Sequence, residues 1–250
     1  MIFIISPAKT LNFDKIEFKE NSSPHFIEKS EKIINELKKL SSEEIEKNLK
    51  VNKKIASLNF TRYKGWKAPH SYENNDTKQA IFTYNGHLFK NIEINSLKKE
   101  ELDYLQKNLL IFSTLYGALK PFDLIMPYRL DFLSNIKVNE KNLYDFWKKD
   151  ITEYLNGLEG SYIINLASNE YFKAIDKKLL NKEVIDIVFK EFKNGKYKTM
   201  SMSAKKMRGK FINFVSKKNI ETVEELKEFD YDDYKFSEKE SNDNCFTFLK

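Results

Sequence analysis

Three short, unbroken apolar runs constrain this chain more than any other feature. Ile2 to Ile5, Leu109 to Leu115 and Tyr162 to Ala167 are too short for core helices and carry no alternating polar face. Such runs are the signature of strands buried on both faces. Ser6-Pro7 ends the first run, because proline has no N–H to give to a ladder. Between the runs lie helical patterns. Ile27, Ile33, Ile34, Leu37 and Leu40 form one stripe. Leu97, Leu102 and Leu105 form another within Ser96 to Asn108. Phe146, Trp147, Ile151 and Leu155 mark a third within Leu143 to Leu155. Asn194-Gly195 is a hairpin turn signal between the runs at Val184 to Phe189 and Tyr197 to Met202. Cys245 to Leu249 reads as the last strand. Interleaved strands and helices with one antiparallel hairpin predict an α/β (mixed α+β) fold, a mixed sheet flanked by helices. The 250 residues contain no Gly- or Pro-rich linker, so a single compact domain over 1–250 is expected.

Local signals set further boundaries. Ser23-Pro24 reads as an N-cap and first helical position. Ser41 with Glu44 is a capping box, opening a helix through Leu49. After a break at Val51-Asn52 a second helix carries Ile55, Leu58, Asn59 and Arg62, ending near Gly65-Trp66. Ser41–Trp66 thus has the outline of a helix-hairpin-helix element, with two ordinary packed helices as the other reading. A helix start is expected at Asp76 or Thr77, a short helix from Ser168 to Ile175, a basic helix over Ala204 to Val215, and a capped short helix at Thr222 with Glu225.

Charge points to a class of partner. The formal net charge is +6, and its distribution is uneven. From Phe192 to Ile220 there are nine basic residues and no acid, whereas Glu228 to Lys250 carries seven acids against three lysines. A local basic block suits a polyanion; a solvated helical face would carry the same residues. Lysine outnumbers arginine 40 to 3, so Arg62, Arg129 and Arg208 stand out as planar forks for phosphate or carboxylate.

Several chemistries find no motif. The chain has no GxGxxG after a strand, no GxxxxGK[ST], no HExxH and no GxSxG. His25, His70 and His87 are scattered and Cys245 is the lone cysteine, so no metal and no cofactor is expected. No apolar run reaches the roughly 18 residues of a membrane span, and no secretory leader is visible. A cytoplasmic protein without a membrane partner is expected; a monomer is favoured.

Four polar stretches follow or adjoin strands, where α/β folds gather ligands. Lys9 and Thr10 close the first strand and can hold a phosphate. Tyr116 to Asp131 interleaves Tyr116, Lys120, Tyr128 and Arg129, rings for bases and cations for phosphates. Asn165, Ser168, Asn169 and Tyr171 follow the third run; amides there can read base edges, or merely cap a helix. Lys205, Lys206 and Arg208 form a cationic ridge.

The segments MIFIISPAKTLNF, LYGALKPFDLIMPYRLDF, NLYDFW, INLASNEYF and AKKMRG, in that order, resemble the bacterial YaaA family linked to peroxide-stress resistance. The likeness spans essentially the whole chain. It implies a cytoplasmic protein with one unusual α/β fold, a positively charged cleft, DNA binding and a helix-hairpin-helix-like element, here Ser41–Trp66. That element lacks the glycine such hairpins usually present to phosphate. The resemblance also implies a role in limiting oxidative damage to DNA and protein by lowering free intracellular iron. The expected nucleic-acid contacts are Lys9, Thr10, Arg62, Tyr116, Lys120, Tyr128, Arg129, Asn165, Ser168, Asn169, Tyr171, Lys205, Lys206 and Arg208. The alternative is an enzyme acting on a nucleobase or nucleotide in the same cleft. Asp131 and Glu170, placed among those cations with Asn165 and Asn169, would then be its acid–base groups.

Overall fold

The computed structural model describes residues 1–71 and 76–250. Its strands in chain order are β1 (Ile2–Ile5), β2 (Lys78–Gln79), β3 (Leu109–Ser113), β4 (Gly117–Leu119), β5 (Leu124–Ile125), β6 (Lys137–Val138), β7 (Lys141–Asn142), β8 (Tyr162–Asn165), β9 (Glu183–Lys193), β10 (Lys196–Lys198), β11 (Lys235–Phe236) and β12 (Cys245–Leu249). The α-helices are α1 (Ile27–Leu37), α2 (Ser42–Leu49), α3 (Lys53–Gly65), α4 (Ala80–Thr83), α5 (His87–Lys90), α6 (Lys99–Asn108), α7 (Leu143–Gly157), α8 (Asn169–Phe172) and α9 (Ser201–Lys218).

Eight strands form one sheet in the order β11-β12-β9-β8-β1-β3-β4, with β10 paired to β9. β1 pairs in parallel with both β3 and β8, β8 with β9, and β9 with β12. β4, β10 and β11 pair antiparallel and finish the sheet. The three apolar runs are therefore neighbours at the centre, and every residue of β1 and β3 is buried. Their lack of alternation is the consequence: both faces are covered.

Taken in sequence order, the five parallel strands are arranged 2-1-3-4-5. The chain leaves β1 toward β3, then crosses back to β8 on the other side. The connection leaving β1 runs to β3 and the one leaving β8 runs the opposite way to β9, so the two diverge above the carboxyl ends of β1 and β8. This is the topological switch point of a doubly wound sheet, the place where such sheets open a crevice.

Local signals hold in detail. Ser41 Oγ accepts from the Glu44 amide at 3.2 Å, and the Glu44 carboxylate accepts from the Ser41 amide at 2.8 Å. Asn142 caps α7 by accepting from the Asp145 amide at 3.0 Å. Asn194 and Gly195 both take positive φ, at 53° and 77°, as a type I′ turn requires. Some boundaries differ from expectation. The segment after Asp76 begins with β2, not a helix. β10 stops at Lys198, because α9 starts at Ser201. α1 begins at Ile27 with Phe26 as its cap and no side-chain bond, so Ser23-Pro24 precedes the helix without capping it. None of the described helices is long and apolar enough to cross a membrane.

Candidate functional site

β1 and β8 end side by side, with Ile4 opposite Asn165. Their exit loops are tied together: the Ser168 amide donates to Ser6 Oγ at 2.8 Å, and Ser6 Oγ donates to Ser168 Oγ at 3.3 Å. Ser168 is thus the N-cap of α8 by position, but its hydroxyl serves the other loop.

A cavity of about 530 Å³ opens above these loops, lined by Lys9, Thr10 and Ser168, by Glu170 and Tyr171 of α8, by Gly86 to Phe89, and by Ser201, Lys205 and Arg208 of α9. The α9 residues recur at four and three positions, so one stripe of that helix faces the cavity. The close approach of α5 to α9 fixes this rotation. A methyl group at Gly209 would stand 2.1 Å from the Leu88 carbonyl oxygen, so only glycine fits there.

The electrostatics are mixed. Lys9, Lys205 and Arg208 bring three cations against one carboxylate, Glu170. Behind Lys9 lies Asp131, which forms an ion pair with Lys9 Nζ at 3.4 Å and accepts from Arg129 at 3.1 Å. Burial raises the pKa of Glu170, and the Asp131 charge adds to the effect, with Lys9 opposing it. Burial draws the Arg208 guanidinium below its ordinary value, opposed by the Asp186 carboxylate nearby. Three side-chain atoms here are buried without a hydrogen-bond partner among the described residues: Arg208 Nε, Arg129 Nε and Glu170 Oε1. Two donors and one acceptor left unmatched in one region mark where a ligand with complementary groups would gain most.

The expected site residues divide into two groups. Lys9, Thr10, Ser168, Tyr171, Lys205 and Arg208 share the cavity, and Arg129 adjoins it through Asp131. The others lie elsewhere. Tyr116 is fully buried, and its hydroxyl accepts from Trp66 Nε1 and the Met126 amide, each at 3.0 Å. Tyr128 is buried against Tyr84 and Ser113, at 2.7 and 2.6 Å between oxygens. Neither ring offers a face to a base, so the stacking role expected for them is corrected. Asn165 is corrected too. Its amide donates to Asp186 at 2.6 Å and accepts from the Ala167 amide at 2.9 Å, leaving it no base edge to read. Lys120 follows the end of β4, which runs antiparallel to β3, so it lies toward the other end of the sheet. Lys206 faces Asp232 at 2.6 Å. Asn169 is exposed and Arg62 half-buried on α3, both off the cavity lining.

The hairpin of α2 and α3 turns at Lys50, whose φ of 52° supplies the left-handed residue that glycine usually provides. It packs behind the cavity's edge: Tyr63 of α3 donates to the Arg129 carbonyl, and the Asn135 amide to the Asn48 carbonyl at 3.0 Å.

Sequence reasoning placed Ser6 at the start of the first polar stretch without giving it a contact, and it did not single out Ser201 or the Gly86–Phe89 segment as site residues. The available signal was Gly209, since a glycine inside a helical pattern marks a close approach.

A family model described as peroxide stress protein YaaA matches residues 1–240. A UPF0246 protein of Francisella philomiragia is 42% identical over 254 residues, covering 99% of this chain and 100% of that one. UPF0246 proteins of Francisella tularensis subsp. tularensis and subsp. novicida are each 41% identical with the same coverage.

Proposed function

Since the chain belongs to the peroxide stress protein YaaA family, we propose that it acts in the peroxide stress response by binding DNA at the switch-point cavity, in the cytoplasm and as a monomer. The observation that carries this reading is convergence. Lys9, Lys205 and Arg208 come from two distant parts of the chain and meet over one cavity. A smooth duplex needs only an open cationic face. A cavity of about 530 Å³ is instead the size that holds a small molecule or a single nucleotide. We therefore read the cavity as the seat of one nucleotide of distorted or damaged DNA, its phosphate on Lys205 and Arg208. We propose further that the surface around the cavity forms a positively charged cleft, which with the α2–α3 hairpin carries the flanking strand.

Protection of DNA from oxidative damage follows from such binding. We propose that lowered free iron is an indirect outcome. Among the described residues, no three His, Cys, Asp or Glu side chains gather as a metal site.

The test is fluorescence anisotropy of labelled duplexes, matched or with one unpaired nucleotide, from low to physiological salt. Affinity should fall steeply with salt, as displaced counterions require. Binding that is absent, or flat across that range, would count against the reading.

One observation favours a second reading, an enzyme acting on a nucleobase or nucleotide. Glu170 holds a buried oxygen with no hydrogen-bond partner among the described residues, in a cavity otherwise rich in cations, and burial raises its pKa above the ordinary carboxylate value, the direction that suits a general acid. Product formed from nucleotides or lesion-bearing oligonucleotides by the wild type, and lost in Glu170→Gln, would establish it.

A further inference from the structure

The tip of the β9–β10 hairpin lies outside the cavity lining. β9 pairs with β8 only as far as Asn165 opposite Asp186, and with β12 only as far as Leu249 opposite Lys190. Beyond that it pairs with β10, and the Phe192 amide donates to the Lys250 carbonyl at 2.9 Å. At about 3.3 Å per residue, Phe192 stands about 20 Å past the end of β8. β9 runs parallel to β1 and β8, so the extension leaves the sheet at the end that holds the cavity. The chain then returns through β10 directly into α9, whose first residue, Ser201, lines that cavity.

The two faces of this tip differ. Phe192 and Tyr197 are directly opposite each other, with ring centroids 5.2 Å apart. They are 59% and 42% exposed, and Met202 at the start of α9 is 67% exposed. The alternate face carries Lys193 opposite Lys196, and Glu191 opposite Lys198. Like charges directly opposite on a ribbon are destabilising unless an anion sits between them. Glu191 offsets this only in part: it lies 3.2 Å from Lys193 but also accepts from Tyr234 at 2.8 Å. Among the described residues nothing closes over the outer part of these rings.

We propose that this tip is a stacking arm for a nucleic-acid strand: Phe192 and Tyr197 stack on bases next to the nucleotide held in the cavity, while Lys193, Lys196 and Lys198 meet the adjoining phosphates. The proposal rests on the DNA-binding reading above. A strand of nucleic acid has what both faces lack, π-faces for the rings and phosphates for the lysines. An uncharged apolar partner would leave the lysine fringe unmatched.

The full chain is tested with a labelled single-stranded oligonucleotide and with a duplex carrying an unpaired nucleotide. Phe192→Ser with Tyr197→Ser should weaken binding about fivefold or more, with the thermal unfolding midpoint lowered only slightly, because the loss is confined to one largely exposed cross-strand pair. Lys193→Gln with Lys196→Gln should reduce the slope of log affinity against log salt by about 1.4 for the single strand. Tyr197→Trp provides a direct probe. Trp66 and Trp147 are buried, so the new exposed indole is resolved from them, and its emission should be quenched when oligothymidylate is added. Wild type that binds while the aromatic double variant binds equally well, with no quenching, would overturn the arm and leave the cavity reading standing. Wild type that binds no DNA would remove the cavity reading and the arm with it. Loss of binding to phosphatidylserine vesicles, with DNA affinity unchanged in the double variant, would also overturn the arm and assign the tip to a membrane surface.

Discussion

Tyr116 shows how one buried hydroxyl can organise several segments. Its oxygen accepts from Trp66 and Met126, and its proton goes to His70 Nε2 at 3.0 Å. His70 Nδ1 lies 3.1 Å from the Lys67 carbonyl, which can only accept, so that nitrogen carries the ring proton. The imidazole is held neutral, and burial lowers its pKa to about 4. Asp123 is opposite in sign: burial raises its pKa to about 6, with Ser22 and the Lys120 amide opposing. The native state thus binds the His70 proton less tightly than the unfolded chain does, and the Asp123 proton more tightly. As pH falls from about 6.5 to 4, His70 lowers stability and Asp123 raises it, each with a full swing on the order of 3 kcal/mol. Relative to wild type, Asp123→Asn should lose stability over that window and His70→Gln should gain it, as read by urea unfolding at several pH values. Tyr116→Phe leaves three buried groups without their partner and should cost about 2 kcal/mol or more in the same assay. None of this was legible beforehand. A tyrosine in a Gly- and Pro-punctuated loop reads equally well as a stacking platform or a core anchor, and only its partners decide.

At the scale of elements, what was legible was local. The Ser41 capping box, the Asn194-Gly195 turn, and β1 and β12 depend on residues a few positions apart, and they stand where the pattern put them. The rotation of α9 was not legible. Lys205, Lys206 and Arg208 look equivalent in sequence, yet Lys206 meets Asp232 while the other two face the cavity. Which stripe faces inward is set by the contact of Gly209 with Leu88, which lie 121 positions apart. Gly209→Ala should therefore lower the thermal midpoint and weaken DNA binding together, because the methyl group displaces α5 or α9 and both line the cavity. An unchanged melt would show that the helices have room to spare and would remove this explanation of the α9 stripe.

At the scale of the whole molecule, the acidic C-terminal region folds back on the basic block. Asp232 accepts from Lys206 at 2.6 Å and from Lys210 at 2.5 Å. This pairing sorts the block: lysines on one side of α9 are matched within the chain, while Lys205 and Arg208 remain for the cavity. Asp232→Asn should release Lys206 and Lys210 and steepen the salt dependence of DNA binding, measured as the slope of log affinity against log salt. The sequence displayed the charges but not this sorting, which depends on the 2-1-3-4-5 strand order and on where the chain passes after β9. The central claim is that one nucleotide of the DNA enters the cavity and meets Arg208. The direct measurement compares affinity for a duplex with one unpaired nucleotide against the matched duplex, in wild type and in Arg208→Gln. An unpaired nucleotide is cheap to extrude, so wild type should prefer that duplex by about tenfold, and Arg208→Gln should erase the preference while keeping salt-dependent affinity for the matched one. An equal preference in both proteins, or none in wild type, would contradict the account.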